Sequence, residues 1–208
     1  MHISPVSQSP RELALRRAKT LKRLAEELDA VRALKLFDAR GALRALDELE
    51  LRGEVWDELR AFLRLVASIP TKEPYFPKVR RVDRVSNYLL LASFVASLAS
   101  LILLAMLYNS IISYLMIIAA LLLLNAAYIL KLYVFARLRS AYASHLDEIK
   151  GGEALLRRAV DQVLAKMRGE LRKAGASPSS VTLDMYFSDY SQVRVVEKKR
   201  GRYKLALK

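Results

Sequence analysis

Few side chains in this sequence have the type and spacing for covalent or metal chemistry. His2 and His145 are its two histidines and lie far apart, and there is no cysteine. Thiolate metal sites, cysteine nucleophiles and disulfides are therefore excluded, and the imidazoles form no ligand spacing. Asp184 and Asp189 form the acidic pair beside the basic tail. Two carboxylates can serve as acid and base, but these fall in or beside an expected strand with no third partner. That setting favours turn and surface roles. There is no glycine-rich phosphate loop, nucleophile elbow or His-Glu metal pattern. The expectation is a non-enzymatic protein with no catalytic residue, metal or cofactor.

What the sequence does offer is positive charge and an amide inside the second expected span. Formal net charge is +14, yet residues 1–68 are nearly balanced, so the excess lies in the later segments. One cluster is Lys78, Arg80, Arg81 and Arg84; another is Lys198, Lys199, Arg200, Arg202 and Lys204. Three environments suit the second cluster. The first is plain water, since lysine on an edge strand blocks strand pairing. The second is anionic lipid headgroups, worth about 1 kcal/mol per basic group near a membrane. The third is RNA, with Tyr186, Tyr190 and Tyr203 available for stacking, although no RNA-binding signature accompanies them. The amide is Asn125, inside a long apolar segment. It reads either as helix glue bonded to a serine across a helix pair, or as a pore contact, and the first is favoured.

The elements that would position these groups are mainly helical. Val85 to Leu130 is a run of 46 residues without Asp, Glu, Lys, Arg or His. A bilayer crossing takes roughly 20 residues, and this run as one helix would reach about 69 Å. It must fold back, and Tyr108-Asn109-Ser110 is the polar break. The expectation is a transmembrane helical hairpin over 85–135, with spans at about 85–107 and 111–133. Its basic flanks, Lys78 to Arg84 on one side and Lys131, Arg137 and Arg139 on the other, put both termini in the cytoplasm. The start, Met1 to Pro10, lacks an apolar core and is not a signal peptide. Tyr88 with Tyr128 or Tyr133, and Tyr108 with Tyr114, mark two interfaces about 30 Å apart. Ala92, Ser93, Ala96, Ser97 and Ser100 make a small-residue face, expected to pack on the second span near Ala119, Ala120 and Ala127. A homo-oligomer seam is the alternative use of that face. The turn has neither the Gly-Met-Asn of CorA-type magnesium channels nor the acidic residues of uniporter-like calcium channels, so neither likeness is carried forward.

Outside the hairpin, residues 1–69 read as a cytoplasmic α-helical hairpin. Ser9 caps a helix with Pro10 and Glu12 in its first turn, and Leu21, Leu24, Leu28 and Val31 form a stripe. Gly41 is a plausible break, and a second helix carries Leu46, Leu49, Trp56, Leu59, Leu63 and Val66, with Trp56 expected in the core. Residues 70–84 form a Pro-rich basic linker whose three prolines favour an extended path. Residues 136–152 prolong the second span as a rigid helical stalk, continuous to about Lys150. Residues 153–208 read as a small α+β module: a helix over 153–173, then three antiparallel strands, two of them a hairpin around Arg200-Gly201. The absence of cysteine and the long charged helices fit a thermophile.

The leading expectation is a membrane-anchored, cytoplasm-facing scaffold or adaptor. Its partners would be anionic headgroups, an unidentified protein and a second copy of itself. One alternative is a small oligomeric channel or transporter subunit, lined by Ser93, Ser97, Ser100 and Asn125. Another is a tether for ribosomes or nucleic acid through the basic tail.

Overall fold

The computed structural model describes residues 9–35, 39–106 and 111–208. The turn expected at Tyr108-Asn109-Ser110, the interface role of Tyr108, and His2 lie outside the described residues. The protein is mainly helical with one small antiparallel sheet, and it divides into two compact units. A terminal unit joins the residues up to Ser68 with His145–Lys208, and Ile69–Ser144 form an apolar hairpin. The sequence left open whether the N- and C-terminal segments touch; they share one core.

In the terminal unit, α1 (Pro10–Arg32) starts at a capping box. The Ser9 side chain accepts from the Glu12 amide while Glu12 accepts from the Ser9 amide. Its stripe of Ala14, Ala18, Leu21, Leu24, Leu28 and Val31 is buried and packs along α7 (Glu153–Lys173). From α7 come Leu156, Val160, Val163, Leu164, Met167 and Leu171, also buried. Each such aliphatic side chain stabilises the fold by about 1.5–3 kcal/mol.

The second helix of the expected N-terminal pair is in fact two. α2 (Arg40–Glu48) and α3 (Glu54–Lys72) are separated where Glu50 and Gly53 take φ of 50° and 122°. A positive φ ends a right-handed helix. Gly41 is not the break but part of α2. A Cβ there would come within 2.6 Å of the Glu27 carboxylate, so glycine lets α2 lie close on α1. Trp56, Leu59, Leu63 and Val66 of α3 are buried. Gly152, just before α7, leaves room for the Phe62 ring, which a Cβ would meet at 2.2 Å.

β1 (Thr182–Met185), β2 (Val193–Lys199) and β3 (Arg202–Leu207) form the sheet in order β1-β3-β2, all antiparallel. Gly201, at φ 78°, makes the β2–β3 turn. Leu183, Met185, Val193, Leu205 and Leu207 are buried. β2 is an edge strand, with a bulge between Val195 and Glu197 and with Arg194, Lys198 and Lys199 exposed along it. Bulges and lysines both discourage further strand pairing.

In the hairpin unit the prolines do not make an extended linker. α3 runs through Pro70, and α4 (Phe76–Met106) takes Pro77 into its first turn, leaving only Glu73–Tyr75 between the helices. Proline is tolerated there because a first-turn amide has no helical acceptor to lose. α5 (Ile111–Ser144) ends before His145, whose φ of −118° and ψ of 26° leave the helical region. A one-turn helix, α6 (Leu146–Lys150), follows. The continuous rod is therefore about 51 Å long and stops short of Lys150.

α4 and α5 are long and apolar enough to cross a membrane, and only 11% of each apolar window is buried. Their contact follows one rule. The buried residues of α4 are Val79, Ser86, Ser93 and Ser100. Those of α5 include Ser113, Ala120, Ala127, Val134 and Ala141. Each set advances by seven residues, the repeat that keeps one seam facing a partner helix. Ser86 Oγ donates to the Ala127 carbonyl at 3.1 Å and Ser93 Oγ to the Ala120 carbonyl at 2.9 Å. Such bonds require backbones in close approach, which small side chains permit.

Candidate functional site

The densest polar cluster of the terminal unit gathers at the end of α1. Glu26, Asp29 and Arg32 sit at steps of three on one helix face. β1 is the other edge of the sheet, and these carboxylates run beside it. Glu26 Oε1 accepts from the Asp184 amide at 3.1 Å. Asp29 accepts from the amides of Tyr186 and Phe187 and, at 2.6 Å, from the Tyr190 hydroxyl. Alternate amides of an edge strand point outward, so two carboxylates on a helix stand where a fourth strand would otherwise pair.

Arg32 turns the other way. Its two terminal nitrogens clasp Asp189 at 2.6 and 2.8 Å, and one of them also reaches Glu153 at 3.0 Å. Its guanidinium stacks 4.0 Å from the Phe187 ring centre and 5.5 Å from that of Tyr190. The side chain is only 5% exposed. Arg157 donates to the Asp189 carbonyl at 3.0 Å, so one acidic loop residue ties α1 to α7. Bidentate, stacked geometry of this kind is specific to arginine.

The electrostatics follow from burial and pairing. Burial pushes the Asp29 carboxyl above its ordinary 3.8, against the three donors and Arg32, which pull it down. Burial also pushes the Tyr190 phenol up, reinforced by the Asp29 charge. The hydrogen bond from Arg32 lowers Asp189, and the same bond raises Arg32. Three donors around Asp29 suit an acceptor-only carboxylate. This is the chemistry of a clamp between chain ends. Beside it runs an open groove of about 850 Å³, lined by Arg32, Lys150, Glu153, Arg158, Asp161 and Gln192 among others. Glu153 is held by Arg32, and Asp161 accepts from the Ser191 amide and hydroxyl. Among the described residues, Lys150 and Arg158 have no anionic partner.

The charge clusters expected from sequence fall in two places. Lys78, Arg80, Arg81 and Arg84 are exposed in the first turns of α4, and no acidic residue accompanies them in the first turn. Arg80, Arg81 and Arg84 line a cavity of about 360 Å³ with Phe76 and Pro77. At the β2–β3 hairpin, Arg202 donates to the Tyr186 hydroxyl at 2.6 Å and stacks on its ring. Lys198 lies over Tyr203, and Lys199 is 3.8 Å from Glu197. Arg200 is exposed and Lys204 half-buried. Tyr190 is buried against Asp29, so the three tail tyrosines form no common open stacking surface.

The helix-packing residues also separate. Ser93 and Ser100 lie in the α4–α5 seam. Ser97 and Ala96 are half-buried, while Ala92 and Ala119 are exposed. Ser97 donates to the Ser93 carbonyl of its own helix, and Ser100 to that of Ser97. Asn125 does not reach a serine across the hairpin. It is exposed, and its Nδ2 donates to the Leu121 carbonyl of its own helix at 2.9 Å. The Asp189 carboxylate is taken up by Arg32, while Asp184 sits in β1 and offers its backbone amide to Glu26. Sequence reasoning missed Glu26, Asp29, Arg32, Glu153 and Arg157, whose partners lie far away along the chain. It also missed the pairing of Lys131 with Asp83 at 2.6 Å. The period-seven series through Ser86, Ser93 and Ser100 was the signal that could have been read.

Among the described residues no group of three or more His, Cys, Asp or Glu could hold a metal ion. Comparison with protein-family models, curated proteins and solved structures gives no match.

Proposed function

We propose that this chain is a two-span membrane protein whose apolar hairpin anchors a cytoplasm-facing scaffold or adaptor. The observation that carries this reading is the make-up of the terminal unit. The segments before and after the hairpin fold together, with α1 along α7 and Arg32 on Asp189. Segments that share a core must lie on one side of a bilayer, and two crossings by α4 and α5 meet that requirement.

The charge pattern supports the same orientation. Lys78, Arg80, Arg81 and Arg84 stand at the N-terminal end of α4, where the helix dipole is already positive and disfavours cations. Anionic headgroups at a cytoplasmic leaflet offset that repulsion, and basic flanks are retained on that side. The groove beside Arg32, with Lys150 and Arg158 unpaired, suits an acidic segment of a protein partner.

The test is crosslinking in native membranes, followed by mild solubilisation and mass spectrometry, with and without nuclease. A stoichiometric protein partner, weakened by Lys150→Glu with Arg158→Glu, is the expected result. Ribosomal components that vanish on nuclease treatment would replace this reading with that of a tether. Ion flux in reconstituted liposomes without any partner would replace it with that of a channel subunit.

A further inference from the structure

We propose that two copies of this chain pair through the outer face of α5, with the Asn125 carboxamides of the two copies hydrogen-bonded to each other. The inference rests on the two-span reading and gives it a self-association surface.

Asn125 lies two residues before Ala127 and five after Ala120, which puts it on the far side of α5 from the seam with α4. Its one hydrogen bond among the described residues is the donation to the Leu121 carbonyl. One N–H and the carbonyl oxygen are left over. Near the middle of a span, lipid tails answer neither, and an unsatisfied polar group in hydrocarbon costs several kcal/mol. Polar side chains inside spans accordingly face other helices rather than lipid. The hairpin supplies none on this side.

The group that fits must carry both partial charges, a donor and an acceptor, at the same depth. A second carboxamide does so, and a two-fold axis along the membrane normal brings Asn125 of one copy opposite Asn125 of the other. The surrounding face allows the approach. Ile118 and Leu132, one heptad before and after Asn125, and Leu122 and Ile129, each 66% exposed, share its face and are all open.

The absence of cysteine makes the test clean. Ile129→Cys is introduced into the full chain, and native membranes are oxidised with copper phenanthroline. Leu122→Cys is a second reporter on the same face, and Val95→Cys, exposed on α4, is the comparison. Disulfide-linked dimers at positions 129 or 122 should exceed those at 95 at least fivefold. Asn125→Leu should lower them about fivefold, as expected for an interhelical amide bond, and Asn125→Gln should retain them. Equal crosslinking at all three positions, or indifference to Asn125→Leu, overturns the pairing. Carbonate extraction separates the two levels. A protein lost from the membrane pellet sinks the two-span reading and the pairing with it; one retained without face-specific crosslinks sinks the pairing alone.

Discussion

The terminal unit and the apolar hairpin hold themselves together by opposite means. The terminal unit packs large aliphatic side chains and then fixes the arrangement with a few unlike, individually irreplaceable contacts: Asp29 on three donors, and Arg32 on two carboxylates and two rings. The hairpin buries almost nothing large. Its seam is one step repeated, a serine, alanine or valine every seven residues, while most of its exposed surface is leucine, isoleucine and aromatic, and Tyr142 is the buried aromatic. In water, burial of big apolar groups drives assembly, and polar contacts choose among arrangements. On the two-span proposal α4 and α5 already lie in an apolar medium where that drive is absent, so close approach and shared geometry serve instead.

The contrast is sharpest under substitution. Asp29→Ala leaves the Tyr190 hydroxyl and two backbone amides without their acceptor, and should destabilise the terminal unit by about 3–5 kcal/mol. Trp56 is the single tryptophan and is buried in that unit, so its fluorescence during denaturation reads this unit alone. In the hairpin, enlarging a seam residue should do the damage. Ser93→Leu should cost about 1–3 kcal/mol by overpacking. It should slow disulfide formation between Ser86→Cys and Ala127→Cys while leaving the Trp56 transition in place. A shift of both readouts by either substitution would show that the two regions are not independent in energy.

Acid gives a smaller, signed effect. Arg32 lowers the Asp189 pKa, so this pair's contribution is complete above the ordinary carboxyl value of 3.8 and is lost as pH falls through the lowered folded value. Burial raises the Asp29 pKa. Its contribution has the opposite sign, present below 3.8 and lost as pH rises through the raised value. Asp189→Asn should therefore remove part of the acid-side loss of Trp56-monitored stability, on the order of 1 kcal/mol, since Asp189 is partly exposed. Smallest of all, Ser93→Ala keeps the seam's size and removes one hydrogen bond. It should loosen the hairpin by about 0.5–1 kcal/mol, read by the same disulfide rate.

Local signals in the sequence carried well. The Ser9–Glu12 capping box, the α1 stripe of Leu21, Leu24, Leu28 and Val31 and the turn at Gly201 follow from neighbours a few residues apart, and each stands where it was expected. The prolines misled because Pro77 stands in a first turn, where no helical hydrogen bond is lost, and α3 runs on through Pro70 near its end. Nothing in local patterning marked the helix end at His145. For Asn125 the residue type was noticed but not its phase. Counting by sevens from Ser113 puts Ala120 and Ala127 on the seam and Asn125 away from it. Arg32 and Asp189, 157 positions apart, carry no local trace of each other, so that pair was not legible at all.

The carboxylates that border β1 also set a clock. Asp29 waits for Tyr190, 161 residues later, and both apolar helices are made in between. At about 5–20 residues per second of synthesis, α1 spends roughly 10–30 s without the loop that covers its buried acid. During that interval the hairpin can be delivered while the terminal unit is still open. On the two-span proposal, closure of that unit records that the segments flanking the hairpin emerged on the same side.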